Sequence, residues 1–231
     1  MKPREIASAF GYAKPYFYNY WKFNRVHTAD ITPSMRDSGS IFIHIPKTAG
    51  MSIHRTIYDR DTGHGHAPAY GFRKRNPQEY DKLFTFTIMR EPTDRFISAF
   101  YYLKTAPIND RDEKWGKDHL AGYQGPNELL TAIRENRWVR GEMLSWVHFT
   151  PQAWFINDQA GNQMVEYIGR LEEFDRHMSE IATRLGRDFT PKQVNKSKRP
   201  RETPLDDANL ALLHDFYAED YELYDKLFGT N

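Results

Sequence analysis

Two short runs in this chain carry residue types that chemistry could use. The first is Lys47-Thr48-Ala49-Gly50-Met51-Ser52, which follows the apolar run Ile41-Phe42-Ile43-His44-Ile45 and its closing Pro46. A strand that ends in a tight loop and feeds a helix aims unpaired backbone N–H groups and the positive end of the helix dipole at one point. Lys47 and the hydroxyls of Thr48 and Ser52 would converge there, an arrangement suited to an anion. The plain alternative is a strand–helix connection with a surface lysine. The second run is Arg90-x-x-x-x-Arg95-x-x-Ser98, which follows the buried-type segment Leu83 to Met89. With a helix starting near Asp94, Arg95 and Ser98 share a face one turn apart. Two guanidiniums and a hydroxyl suit a second phosphate; the alternative is ion pairing with Glu91 or Asp94.

The elements that position these residues alternate between strands and helices. Strands are expected over 41–45, 83–89 and 165–168, and helices over 51–60, 77–82, 96–103, 127–136 and 172–185, the last closed by Gly186. A final helix is expected to start at Thr203-Pro204-Leu205-Asp206 and to carry one stripe of Leu213, Phe216, Tyr217, Tyr221, Tyr224 and Phe228. Residues 104–126 read as a long polar loop, a cover or mobile segment, and 138–149 give no clear pattern. Alternation of this kind predicts an α/β fold with a central parallel sheet flanked by helices. Ligands of such sheets bind at the carboxyl ends of the strands, where both chemical runs lie.

The chain has 231 residues, with 32 Lys plus Arg against 31 Asp plus Glu and a net charge of +1. That balance excludes a general nucleic-acid coat, which needs a surplus of basic charge. The lack of cysteine excludes disulfides, thiolate metal sites and a cysteine nucleophile. With no apolar run resembling a signal peptide and none long enough to span a bilayer, a cytoplasmic location is expected. One domain over 1–231 is expected, with residues 1–40 as an aromatic arm that packs its rings onto the core.

The first run is not a Walker A motif, because its lysine precedes the glycine. Taken together, the two runs resemble the sulfotransferase superfamily, whose fold is P-loop-like and three-layered. Ile45-Pro46-Lys47-Thr48-Ala49-Gly50 resembles its 5′-phosphosulfate loop, and Arg90-Glu91-Pro92-x-x-Arg95-Phe96-x-Ser98 resembles its 3′-phosphate motif. Four further segments are similar to the carbohydrate sulfotransferase branch: Phe149-x-x-Gln152-x-x-Phe155-Ile156, Ile168-Gly169-Arg170-Leu171-Glu172, Val194-Asn195-Lys196-Ser197, and the closing helix Tyr217 to Phe228. The likeness covers about 41–228. Met51 departs from it, standing where the family usually has Thr or Ser.

The resemblance implies 3′-phosphoadenylyl sulfate (PAPS) as donor, no metal, and a hydroxylated acceptor, a carbohydrate or a related metabolite. It implies that Lys47, Thr48, Ala49, Gly50, Met51 and Ser52 hold the phosphosulfate, that Arg90, Arg95 and Ser98 hold the 3′-phosphate, and that Ser197 and Lys198 cover the nucleotide. Lys47 would stabilise charge on the leaving phosphate. The base that takes the acceptor proton would be His66, in Gly65-His66-Ala67-Pro68-Ala69, with His64 as the alternative. His44 and His54, within a strand and a helix, are expected to be structural, and Arg170 with Glu172 to form an ion pair. Acceptor choice would fall to 104–147 and the arm. The rival readings are a nucleotide-dependent kinase of the same general fold and a non-catalytic nucleotide- or glycan-binding module.

Overall fold

The structure, a computed structural model, describes residues 28–59, 65–189, 200 and 203–229. In chain order, α1 (Pro33–Ser38), β1 (Ser40–Phe42), α2 (Gly50–Ile57), α3 (Ala69–Arg75), α4 (Pro77–Tyr80) and β2 (Phe84–Met89) come first. The helices α5 (Pro92–Thr105), α6 (Asp110–Leu120), α7 (Pro126–Glu135) and α8 (Arg137–Ser145) follow, with a 3₁₀ turn over Val147–Phe149. The chain then forms α9 (Ala153–Ile156), β3 (Tyr167–Arg170), α10 (Phe174–Leu185), α11 (Asp207–Phe216) and α12 (Ala218–Phe228). The expected α/β class with a parallel sheet flanked by helices is the fold adopted. Among the described residues, no helix is long and apolar enough to cross a membrane.

Two compact units share these elements. The sheet unit comprises the described residues of 19–91, 151–194 and 223–231. Its strands lie in the order β1-β2-β3, all parallel, with Phe42 beside Phe86 and Met89 beside Arg170. β2 is central, and from Thr85 to Met89 it is buried on both faces, with Thr85 and Thr87 on one face and Phe86 and Ile88 on the other. Among the described residues β1 is an edge strand, and its outer ladder is closed from α2's end. The buried Tyr58 hydroxyl accepts from the Phe42 N–H at 2.9 Å and lies 3.3 Å from the Ser40 carbonyl. One side chain thereby replaces a missing neighbour strand.

The helical unit comprises the described residues of 92–150 and 195–222. Phe96, Phe100, Trp115, Leu129, Trp146, Phe149 and Tyr217 are among the side chains of its core. The rings of Trp115 and Trp146 stack at 4.9 Å. α6 lies close against α5: a Cβ on Gly116 would fall 2.0 Å from the Leu103 carbonyl oxygen, so only glycine fits there. Below this, a buried carboxylate organises the unit. Asp112 Oδ2 accepts from the Tyr102 hydroxyl and the Asn109 amide, each at 2.8 Å, and lies 3.1 Å from His148 Nε2. Burial pushes the Asp112 carboxyl up, but these hydrogen bonds outweigh it and hold the group below the usual carboxylate range.

The structure corrects two expectations of local structure. Residues 104–126 are not one long loop, since α6 occupies the middle. Asn109 caps it by accepting from the Asp112 N–H, and three acidic residues in its first turn complement the dipole. Nor does the last helix run unbroken from Thr203. Asp206 is the cap, accepting from the Asn209 N–H at 2.8 Å, and the helix divides at Tyr217. Tyr217 is buried, and its hydroxyl donates to the Phe149 carbonyl at 2.9 Å, so the core fixes the break.

Tyr58→Phe leaves the Phe42 N–H buried without its acceptor. Unfolding free energy should fall by about 1–3 kcal/mol, read as a lower urea midpoint with an unchanged slope.

Candidate functional site

The site is built where β1 gives way to α2. Beyond Phe42 the chain keeps one more ladder bond, from the Ile43 N–H to the Phe86 carbonyl at 2.9 Å, and Thr87 Oγ1 donates to the Ile43 carbonyl at 2.7 Å. The chain then turns sharply. Lys47 has φ 70° and Ala49 has φ 62°, two non-glycine residues in the left-handed region. Such conformations cost on the order of 1–3 kcal/mol each and persist where the surroundings over-determine them. Here the surroundings are specific. The Thr48 hydroxyl donates back to the Ile45 carbonyl at 2.9 Å, and Arg90 Nη1 donates to the Lys47 carbonyl at 3.1 Å.

Gly50 opens α2 against the ring of His44. A Cβ at position 50 would fall 1.9 Å from His44 Nε2, so the glycine is required by this approach and not by its φ. His44 is buried, its ring stacked on Phe42 at 5.5 Å and 5.1 Å from that of His54. His66 lies beside it too, at 4.3 Å between ring centroids.

His66 is the half-buried member of this histidine group. Its Nδ1 lies 2.9 Å from the carbonyl oxygen of His44. A carbonyl only accepts, so neutral His66 carries its proton on Nδ1 and its lone pair on Nε2. Hydrogen bonding of one ring nitrogen to a main-chain carbonyl is the usual device for fixing an imidazole's tautomer and direction.

The sheet unit therefore brings together Lys47, Thr48, Ala49, Gly50, Met51, Ser52, His66 and Arg90. Lys47 and Met51 are half-buried, whereas Thr48 and Ser52 are buried. Arg90, at the carboxyl end of β2, is 9% exposed. Its peptide is gripped by the amide of Gln152, at 3.0 Å from the N–H and 2.8 Å from the carbonyl.

Arg95 and Ser98 belong to the helical unit, on α5, and both are buried. Arg95 is 0% exposed. Its Nη1 donates to the His148 carbonyl at 3.1 Å and its Nη2 to the Thr150 carbonyl at 2.7 Å, with the guanidinium over the Tyr217 ring. Both terminal nitrogens are thus engaged inside that unit. Arg170 pairs with Glu173 rather than Glu172. Glu172 instead accepts from the Glu91 N–H at 3.1 Å and the Tyr224 hydroxyl at 2.8 Å. His64, Ser197, Lys198 and the arm's aromatic residues as far as Phe23 lie outside the described residues.

Two residues escaped the reading of the sequence as parts of the site: His44, whose carbonyl orients His66, and Gln152, whose amide holds Arg90. The apolar–histidine alternation around His44 signals only a strand. Gln152 does stand in a resemblance motif, but no local pattern says what its amide would meet.

Gly50→Ala drives a methyl group into the His44 ring. Overpacking of this kind should cost about 1–3 kcal/mol, measured by chemical denaturation. In combination with His44→Ala the two losses should be less than additive, because the smaller side chain removes the clash.

The family model described as the sulfotransferase family matches residues 35–227, which includes β1 through α11 and nearly all of α12. Searches among curated proteins and among solved structures returned no match. A match over that share of the chain, spanning both the loop after β1 and the strand end at Arg90, establishes that this chain belongs to the sulfotransferase family and is a transferase.

Proposed function

We propose that the protein transfers a sulfuryl group from PAPS to a hydroxyl of an acceptor, with His66 as the base and Lys47 as the stabiliser of the leaving phosphate. The observation that carries this reading is the bond from Arg90 Nη1 to the Lys47 carbonyl. It ties the loop after β1 to Arg90 at the end of β2, which supports one anion site at the carboxyl edge of neighbouring parallel strands. Two separate grips suit a nucleotide phosphorylated at both its 5′ and 3′ positions better than they suit ATP. The family membership supports the same donor.

In the transfer, a bond forms between the acceptor oxygen and sulfur while the bond from sulfur to the bridging phosphate oxygen breaks. The acceptor proton passes to His66 Nε2, which the His44 carbonyl leaves unprotonated in the neutral ring. The electron pair of the broken bond goes to the phosphate oxygen, where Lys47 and the N–H groups at the start of α2 offset the growing charge. A carbohydrate or another polyhydroxylated metabolite is the acceptor class we propose, with cytoplasmic action. Catalysis by positioning and charge stabilisation needs no metal in this scheme.

A thermal-shift titration should show stronger stabilisation by adenosine 3′,5′-bisphosphate than by ADP. Equal or reversed responses would overturn the donor assignment, and a magnesium-dependent preference for ATP would favour a kinase. Arg90→Ala should remove the preference, at about 1.5–3 kcal/mol for a charge-assisted contact.

His66→Ala should lower turnover by about 10²–10⁴-fold with bisphosphate binding retained. Bisphosphate binding with no sulfuryl transfer to any pool of hydroxylated acceptors would identify a binding module instead.

A further inference from the structure

β2 leaves the sheet at Met89, whose register partner Arg170 is the last of β3. The next residue, Arg90, is where the ladder ends and where a binding cation has to be held still. Gln152 takes over there. It is 0% exposed, and its side-chain amide bonds to this one residue through both its oxygen and its nitrogen. Oε1 accepts from the Arg90 N–H at 3.0 Å and Nε2 donates to the Arg90 carbonyl at 2.8 Å. The partners fix the direction of the amide, because a peptide N–H only donates and a carbonyl only accepts. Glu172 adds a third grip through the Glu91 N–H and is itself held by Tyr224.

We propose that Gln152 is a positioning residue for the donor site. It acts through Arg90, and through the bond from Arg90 to the Lys47 carbonyl it sets the spacing of the two phosphate grips. The inference rests on the PAPS reading above. The chemistry demands an amide: a hydrocarbon leaves a buried N–H and C=O unpaired, and an ionised carboxylate sets negative charge against a carbonyl oxygen. A protonated carboxylic acid, by contrast, offers one donor and one acceptor and can replace the amide. The planar guanidinium of Arg90 projects from the clamped peptide, so a shift of its main chain displaces every donor on it together.

The test is calorimetric titration of the full-length protein with adenosine 3′,5′-bisphosphate. Gln152→Leu should weaken binding by up to about 100-fold. In an Arg90→Ala background the same substitution should change affinity by no more than about two-fold, since its effect passes through Arg90. Gln152→Glu should bind weakly at neutral pH and recover as the solution is acidified, while the wild type shows no such recovery. Wild-type affinity in Gln152→Leu, or equal losses with and without Arg90, would overturn the inference. If Gln152→Leu does not fold, Gln152→Glu decides alone, and absence of acid recovery relative to wild type overturns it. Failure of the wild type to bind the bisphosphate would instead overturn the donor reading, and this inference with it.

Discussion

The site depends on a loop that its own residues would not choose. Lys47 and Ala49 both sit in left-handed backbone that glycine adopts freely and other residues resist. Their conformations hold because every way out is closed. Thr48 ties the turn back to Ile45, Arg90 holds the Lys47 carbonyl, and Gly50 is pressed against the His44 ring. The result is a lysine and the first N–H groups of α2 presented from a short, fixed turn. For a reaction that relies on positioning and charge stabilisation, a turn unable to relax is more useful than one that must be ordered by the substrate.

Much of this fold was legible because its strands are buried. Phe84–Met89 reads as a strand from its aromatic and β-branched composition, which suits a central, buried strand. β1 was legible for the same reason but came out shorter than its apolar run, because Ile43 to Ile45 are already bending into the loop while remaining buried. α6 was hidden by its charge. It buries Trp115 and Leu120 but presents mostly acidic and basic residues, and its real signals were the Asn109 cap and the Glu113–Lys117 and Lys114–Asp118 pairs one turn apart. The division at Tyr217 could not be seen at all, because the apolar stripe continues through it. What breaks the helix is a hydrogen bond to Phe149, 68 positions away.

The candidate site was legible to the extent that its residues act from their own element. Lys47 and Gly50 follow from the strand–loop–helix order, and His66 from a short motif. What remained hidden were contacts between segments far apart in sequence: Gln152 to Arg90, and Glu172 to Glu91. Both use side chains to extend main-chain pairing past the end of a strand. No periodicity marks such a residue, because its spacing is set by the path of another segment.

Arg90 and Arg95 show most directly why spacing alone cannot assign a role. They are the same residue type, five positions apart in one motif, and both read as phosphate ligands. Their fates are decided by the nearest carbonyls. Arg95 meets two of them, at His148 and Thr150, together with the face of Tyr217, and lies wholly buried. A buried cation is tolerable only when hydrogen bonds are supplied, and here main-chain carbonyls supply them to both terminal nitrogens. Arg90 Nη1 donates to the Lys47 carbonyl, and this carbonyl belongs to the loop proposed to hold the donor's other phosphate. That bond turns its guanidinium toward the loop. In this unit the guanidinium that reaches the loop and the main chain that Gln152 clamps belong to one residue, so the amide that fixes its backbone also fixes where its side chain starts.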